Sequence, residues 1–246
     1  MSKYLKEFDM HSTYNAYITS NMKELPNVSY CENYNEIHYN PYVDPRIFAT
    51  VIQKEGAENE GVYDLISPVR LSLFSKLEID GVTQPSVVAT YDFGDTNEHQ
   101  VAYTLVDPTT IGNRAFHSAY INSITIPPTV TTIGDLSLSL LYNLTNLVIP
   151  DTVTTIIQSS ITSNANLTDI TIGSGVTSIG NAAFGFDDSL VNFTIKAVTP
   201  PTAGEAMFYE CDNLSKIYVP AESVNAYKAA SGWSTYASKI EAIPNR

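Results

Sequence analysis

Cysteine is nearly absent from this chain: Cys31 and Cys211 are the two in 246 residues, far apart, with no CxxC pair and no Cys/His spacing. That excludes a disulfide framework and a thiolate zinc site. Positive charge is scarce as well, with 13 Lys and Arg against 26 Asp and Glu and a formal net charge of −13. Such a surface repels phosphate backbones and anionic lipid, so nucleic acid and membrane insertion are not expected among its partners. No run approaches the roughly 18 apolar residues of a membrane span, and the start, Met1 to Asp9, lacks the apolar stretch of a secretory signal. Charged residues make up 16% of the chain, below the roughly 25% of ordinary soluble domains, which leaves Ser, Thr and Asn to carry the surface.

Catalytic chemistry is equally sparse. His11, His38, His99 and His117 are scattered, with no second His at helical or zinc-site spacing. Ser20 and Lys23 satisfy a serine-x-x-lysine pattern without the partner motifs of that hydrolase class. The glycines between Gly173 and Gly180 lack the Lys-Ser/Thr of a phosphate loop and read as a turn. The acidic stretch from Asp92 to Glu98 does not match a calcium loop and reads as a hairpin tip. No catalytic residue, cofactor or metal is expected.

What the chain has instead is a period. Leu144-Thr145-Asn146-Leu147-Val148-Ile149-Pro150 returns 23 positions later as Leu167-Thr168-Asp169-Ile170-Thr171-Ile172-Gly173 and again from Leu190 to Ile195, with Ile121 to Pro127 ahead of them in register. A second marker keeps step: Val130-Thr131-Thr132-Ile133-Gly134, then Val153 to Ile157, then Val176 to Gly180. A third places Phe116, Leu138, Ile161 and Phe184 one per unit. Each unit gives a short strand whose apolar residues alternate with Ser, Thr, Asn or Asp, and the following Pro or Gly turns the chain. One unit cannot bury its apolar side, so the copies must stack.

This consensus resembles the BspA-like (treponemal-type) leucine-rich-repeat family, and the last unit, Ala206 to Pro220, matches that family's Phe-x-x-Cys-x-x-Leu step at Phe208, Cys211 and Leu214. The resemblance implies a mainly β fold ending in a short solenoid. Four segments are expected: an extended anchoring arm over 1–45, a small β domain or solenoid N-cap over 46–107, the solenoid over 108–220 and a helical C-terminal cap over 221–246. Departures fall at Leu136-Ser137-Leu138, at Ser159-Ser160-Ile161, and in an extra residue between Lys196 and Gly204. Strands in the second segment are expected over 47–53, 69–74, 76–79, 87–93 and 100–106, with Asp80-Gly81 and residues 94–97 as turns. In the cap, Val224 and Tyr227 form one face of a helix, and Trp233, Tyr236 and Ile240 are placed to cover the open end.

The candidate binding face is the polar row of the stacked strands: Ser123 and Thr125, Asn146 and Val148, Asp169 and Thr171, Asn192 and Thr194, Lys216 and Tyr218. At about 4.8 Å per strand, five strands present a ladder of roughly 20 Å. The candidate anchoring arm carries Tyr30, Tyr34, Tyr39 and Tyr42, residues that give large contact area at low entropic cost. It resembles a leader on diverse proteins of Bacteroidales bacteria and their phages. Three functions are open: a virion component, oligomeric and anchored by its arm to other virion proteins; a BspA-like bacterial surface or secreted adhesin that binds a host-surface protein; and a glycan-binding protein in which Tyr218 and Trp233 stack on sugars. Of these the virion component is the expectation.

Overall fold

The computed structural model describes residues 44–51, 62–95 and 97–244. Residues 1–43 of the arm, with its tyrosines, lie outside the described residues, as do Ser20, Lys23, His11 and His38. Residues 44–246 form one compact unit. Its first strands are β1 (Ile47–Val51), β2 (Val62–Asp64), β3 (Phe74–Ile79), β4 (Val82–Thr83), β5 (Thr90–Asp92) and β6 (His99–Leu105). The repeats follow with β7 (Thr110–Ile111), β8 (Ser123–Thr125), β9 (Thr132–Ile133), β10 (Asn146–Ile149), β11 (Thr155–Ile156) and β12 (Asp169–Ile172). The series closes with β13 (Ser178–Ile179), β14 (Asn192–Ile195), β15 (Thr202–Ala203), β16 (Lys216–Val219), a short helix α1 (Val224–Ala229) and β17 (Ile240–Ala242).

Two parallel sheets run the length of the solenoid. One has the order β7-β9-β11-β13-β15, and the other β10-β12-β14-β16-β17. The 23-residue period becomes register directly: Asn146 pairs with Asp169, Asp169 with Asn192, and Asn192 with Lys216. The extra residue after Lys196 lengthens one turn without breaking either ladder, since Ser178 still pairs with Thr202. The irregular units are also absorbed, because Leu138 and Ile161 are as fully buried as Phe116 and Phe184.

Between the sheets the chain turns through residues with positive φ at a fixed place in each unit. Arg114 and Ser118, Leu136 and Leu140, Ser159 and Ser163, Ala182 and Phe186, and Ala206 and Glu210 all lie there, none of them glycine. The geometry is held by hydrogen bonds that run forward to the next turn: Phe116 N–H donates to the Ser137 carbonyl, Leu138 to Ser160, Ile161 to Ala183 and Phe184 to Met207. At about 1 kcal/mol each, these bonds offset part of the cost of the left-handed positions.

The N-terminal sheet has the order β4-β3-β6-β1-β8 and is antiparallel along β1. Because β8 belongs to the first repeat, this sheet crosses residue 107 and is continuous with the solenoid. Three expectations are corrected here. Residues 69–73, expected as a strand, form a turn and a 3-10 segment (Leu71–Leu73) before β3. The strand expected over 87–93 shrinks to β5, which pairs with β2 rather than β6, so residues 93–98 join two sheets and are no hairpin tip. Strand β2 was missed altogether. The Asp80-Gly81 turn stands as expected, joining β3 to β4 with φ of 49° and 78°.

Both ends of the solenoid are closed by aromatics. At the first, Tyr103 is buried between Phe74 and Phe116 and donates its hydroxyl to the Leu65 carbonyl at 3.1 Å. At the last, Trp233 and Tyr227 are fully buried in edge-on contact, with Trp233 Nε1–H donating to Pro201 O and Tyr227 O–H to Ala197 O.

Candidate binding face

The second parallel sheet keeps its apolar residues inside and its polar ones outside. Leu147, Ile149, Ile170, Ile172, Phe193, Ile195, Ile217 and Val219 are buried, which leaves the alternate positions on the outer face. One outer row is Asn146, Asp169, Asn192 and Lys216; the other is Val148, Thr171, Thr194, Tyr218 and Glu241. Eight of the ten expected residues therefore stand on one hydrogen-bonded ladder. Ser123 and Thr125 do not: β8 lies next to β10, but its ladder bonds go to β1, where Ser123 faces Thr50 with hydroxyl oxygens 2.7 Å apart. The fifth rung is β17 instead, which sequence reasoning had assigned to the cap.

The face is polar but largely self-neutralised. Asp169 accepts from Asn192 Nδ2 at 2.9 Å and from the Thr168 hydroxyl at 2.7 Å. Lys216 pairs with Glu241 across the last two rungs, and that hydrogen bond holds its ammonium above the usual lysine range. Val148 is 59% exposed at the first rung, and Tyr218 is partly exposed near the last. The ladder is thus a strip of amides and small hydroxyls with an apolar contact at either end.

Other expected features take structural roles. Trp233 is 0% exposed, so it cannot stack on a sugar, and half of the proposed glycan platform is lost to the cap. The Gly173–Gly180 stretch is a solenoid turn that runs into β13: a Cβ at Gly175 would lie 2.0 Å from the Asp151 carbonyl oxygen of the preceding turn. His99 is held between Asp80 and Asp95, at 2.7 and 3.0 Å, and stacks on Phe93. His117 approaches the Ser139 hydroxyl at 2.6 Å, and burial lowers its pKa. Cys211 is buried, its thiol donating to Phe184 O at 2.9 Å, and burial pushes its pKa up to about 12, far from a reactive thiolate. Among the described residues no group of three or more His, Cys, Asp or Glu side chains is placed to hold a metal ion. No helix among them is long and apolar enough to cross a membrane.

Sequence reasoning missed a buried polar column inside the solenoid. Leu141 N–H donates to Asn164 Oδ1 at 2.8 Å, Asn164 N–H to Asp187 Oδ1 at 2.7 Å, and the Asp187 backbone bonds the Cys211 thiol. The period could have revealed it, because Asn164, Asp187 and Cys211 are themselves spaced 23 and 24 residues apart.

With this geometry in place, the family comparison is specific. The family model for the BspA type leucine rich repeat region matches residues 109–231 in six copies. No curated protein matches the chain.

Proposed function

Since the chain belongs to the BspA-type leucine-rich-repeat family, we propose that it is a non-enzymatic, protein-binding adhesin, acting at a bacterial surface or after secretion and docking a host-surface protein on the outer face of the β10-β12-β14-β16-β17 sheet. One observation carries this reading. All-parallel sheets are normally covered on both faces, whereas the outer residues of these five consecutive rungs, from Asn146 and Val148 to Glu241, are all exposed or half-buried. A solenoid uses such an extended face for partners, and a protein partner suits a strip of amides and hydroxyls flanked by Val148 and Tyr218. The family fits an adhesin at least as well as a virion component. The virion reading leans on the arm, outside the described residues, and the glycan reading loses Trp233.

The test is surface plasmon resonance of the full chain against a panel of host-surface and extracellular-matrix proteins, with Thr171→Arg/Thr194→Arg placing two bulky cations in the centre of the face. A specific partner whose affinity drops at least 10-fold, about 1.4 kcal/mol, while the circular dichroism spectrum is unchanged, is the expected result. Binding that ignores the double substitution removes the face from the proposal. Incorporation into phage particles, or binding confined to glycan arrays, replaces the adhesin with one of the other two readings.

A further inference from the structure

The buried column contains one rung whose chemistry does not close as an aspartate. Asn164, Asp187 and Cys211 occupy equivalent places on successive turns, and each accepts from the rung before it. The outer two also donate. Asn164 Nδ2–H donates to the Leu138 carbonyl at 3.1 Å, 26 residues back, and the Cys211 thiol to the Phe184 carbonyl at 2.9 Å, 27 residues back. By the same register Asp187 Oδ2 belongs to the Ile161 carbonyl, 26 residues back. Asp187 is 0% exposed and its Oδ2 has no hydrogen-bond partner. The Ile161 carbonyl, its counterpart in the column, also receives no hydrogen bond from the described residues. Two acceptors thus stand where both neighbouring rungs hold a donor and an acceptor.

We infer that Asp187 serves in the solenoid as a neutral carboxylic acid whose Oδ2–H donates to the Ile161 carbonyl oxygen, making this rung a pH-sensitive lock on the turn that leads into β14. A single proton satisfies both orphaned atoms and removes a buried charge that has lost its hydration. The surroundings favour that form. The ionisable groups facing Asp187 are Asp188 beside it and the Cys211 thiol on the next rung, with Asp212 near that thiol. No Lys, Arg or His among the described residues forms an ion pair with it. Burial first, opposed by the bonds from Asn164, sets its pKa well above the usual aspartate range. The lock reaches the binding face because Leu190 N–H donates to the Asp187 carbonyl at 2.9 Å, fixing the turn two residues before β14 presents Asn192.

The sign of the pH dependence follows. A carboxyl whose pKa is raised by folding binds more protons folded than unfolded, so its stabilisation declines as pH rises from the ordinary aspartate value through the raised one. Asp187→Asn keeps the acceptor for Asn164 N–H and supplies a permanent donor to Ile161. The expected results on the full chain are a protonated-carboxyl infrared band that persists at pH 7 and vanishes in Asp187→Asn, and a Tm for Asp187→Asn about 8–16 °C above wild type at pH 8 that converges toward it at pH 4. The band needs only the wild-type chain, so the idea stays testable if the variant folds badly. Absence of the band at pH 7, or a variant Tm below wild type at both pH values, overturns the proposal, an ionised Asp187 bridged by buried water being the form such results would favour.

Discussion

The N-terminal sheet and the solenoid are joined by hydrogen bonds between β1 and β8, yet they are built on opposite logics. In the solenoid every strand but β8 pairs with the strand one period away, so Asn146, Asp169 and Asn192 align because they are equivalent in sequence. In the N-terminal sheet β1 lies between β6 and β8, partners some 50 and 75 residues downstream, and nothing local specifies either. A repeat writes its tertiary contacts into its own period; an antiparallel cap does not. Their stabilities should differ in the same way, as a sum of nearest-neighbour terms in the solenoid and a more collective unit in the cap.

Trp233→Ala should produce the largest effect and test that distinction most directly. Its ring is fully buried against Tyr227 and bonded to Pro201 O, so truncation is expected to cost about 3–5 kcal/mol. In hydrogen exchange, protection should fall in β14, β16 and β17 while β1, β3 and β6 keep theirs. A uniform loss from β1 to β17 would show that cap and solenoid unfold together, and the nearest-neighbour picture would fail.

Glycine substitutions sharpen the contrast at smaller scale. A Cβ at Gly175 runs into the Asp151 backbone of the previous turn, which cannot move without shifting the stack, and Gly175→Ala should cost about 1–3 kcal/mol or more. Gly81, in the β3–β4 turn, has φ +78° and nothing within 4 Å of the added carbon. Gly81→Ala therefore carries only the left-handed conformational term of about 1–2 kcal/mol. Urea midpoints of the two variants should rank in that order. Equal losses would mean that neighbour contact adds nothing in the repeat.

What the sequence made legible divides along the same line. The solenoid, its strand registers and eight of the ten face residues followed from one period, because apolar alternation at Leu147/Ile149 and Ile170/Ile172 already states which side is inside. The misplacement of Ser123 and Thr125 has a physical cause: they carry the repeat's residue pattern, but β1 competes for the edge of β8 and wins it. In the cap, Val69 to Leu73 looked strand-like by composition, yet tertiary pairing begins only at Phe74. Val62-Tyr63-Asp64 is too short to signal a strand without β5 beside it. The Asn164-Asp187-Cys211 column went unread because three different residue types fill one structural position.

The smallest expected effect concerns the cap alone. His99 sits between Asp80 and Asp95, and although burial opposes its charge, the hydrogen bonds its ring donates to the two carboxylates raise its pKa above the ordinary 6.5. The bond from His99 lowers Asp80 in turn, and Asp95 is lowered by the Asn97 backbone N–H and by His99. Stabilisation from the ring is complete below its unfolded pKa and fades as pH rises through the folded one; that from the carboxylates is complete above their ordinary 3.8 and fades as pH falls. The clamp should therefore matter most between about pH 4 and 6.5. Both carboxylates are nearly half exposed, so the contribution is small and salt-sensitive. His99→Gln should lower protection of β3, β4 and β6 slightly at pH 5.5, lose that effect by pH 9 or in high salt, and leave exchange in β12 and β14 unchanged at every pH. A response in those distant rungs would mean that the antiparallel cap communicates along the stack, and the two regions would have to be treated as one.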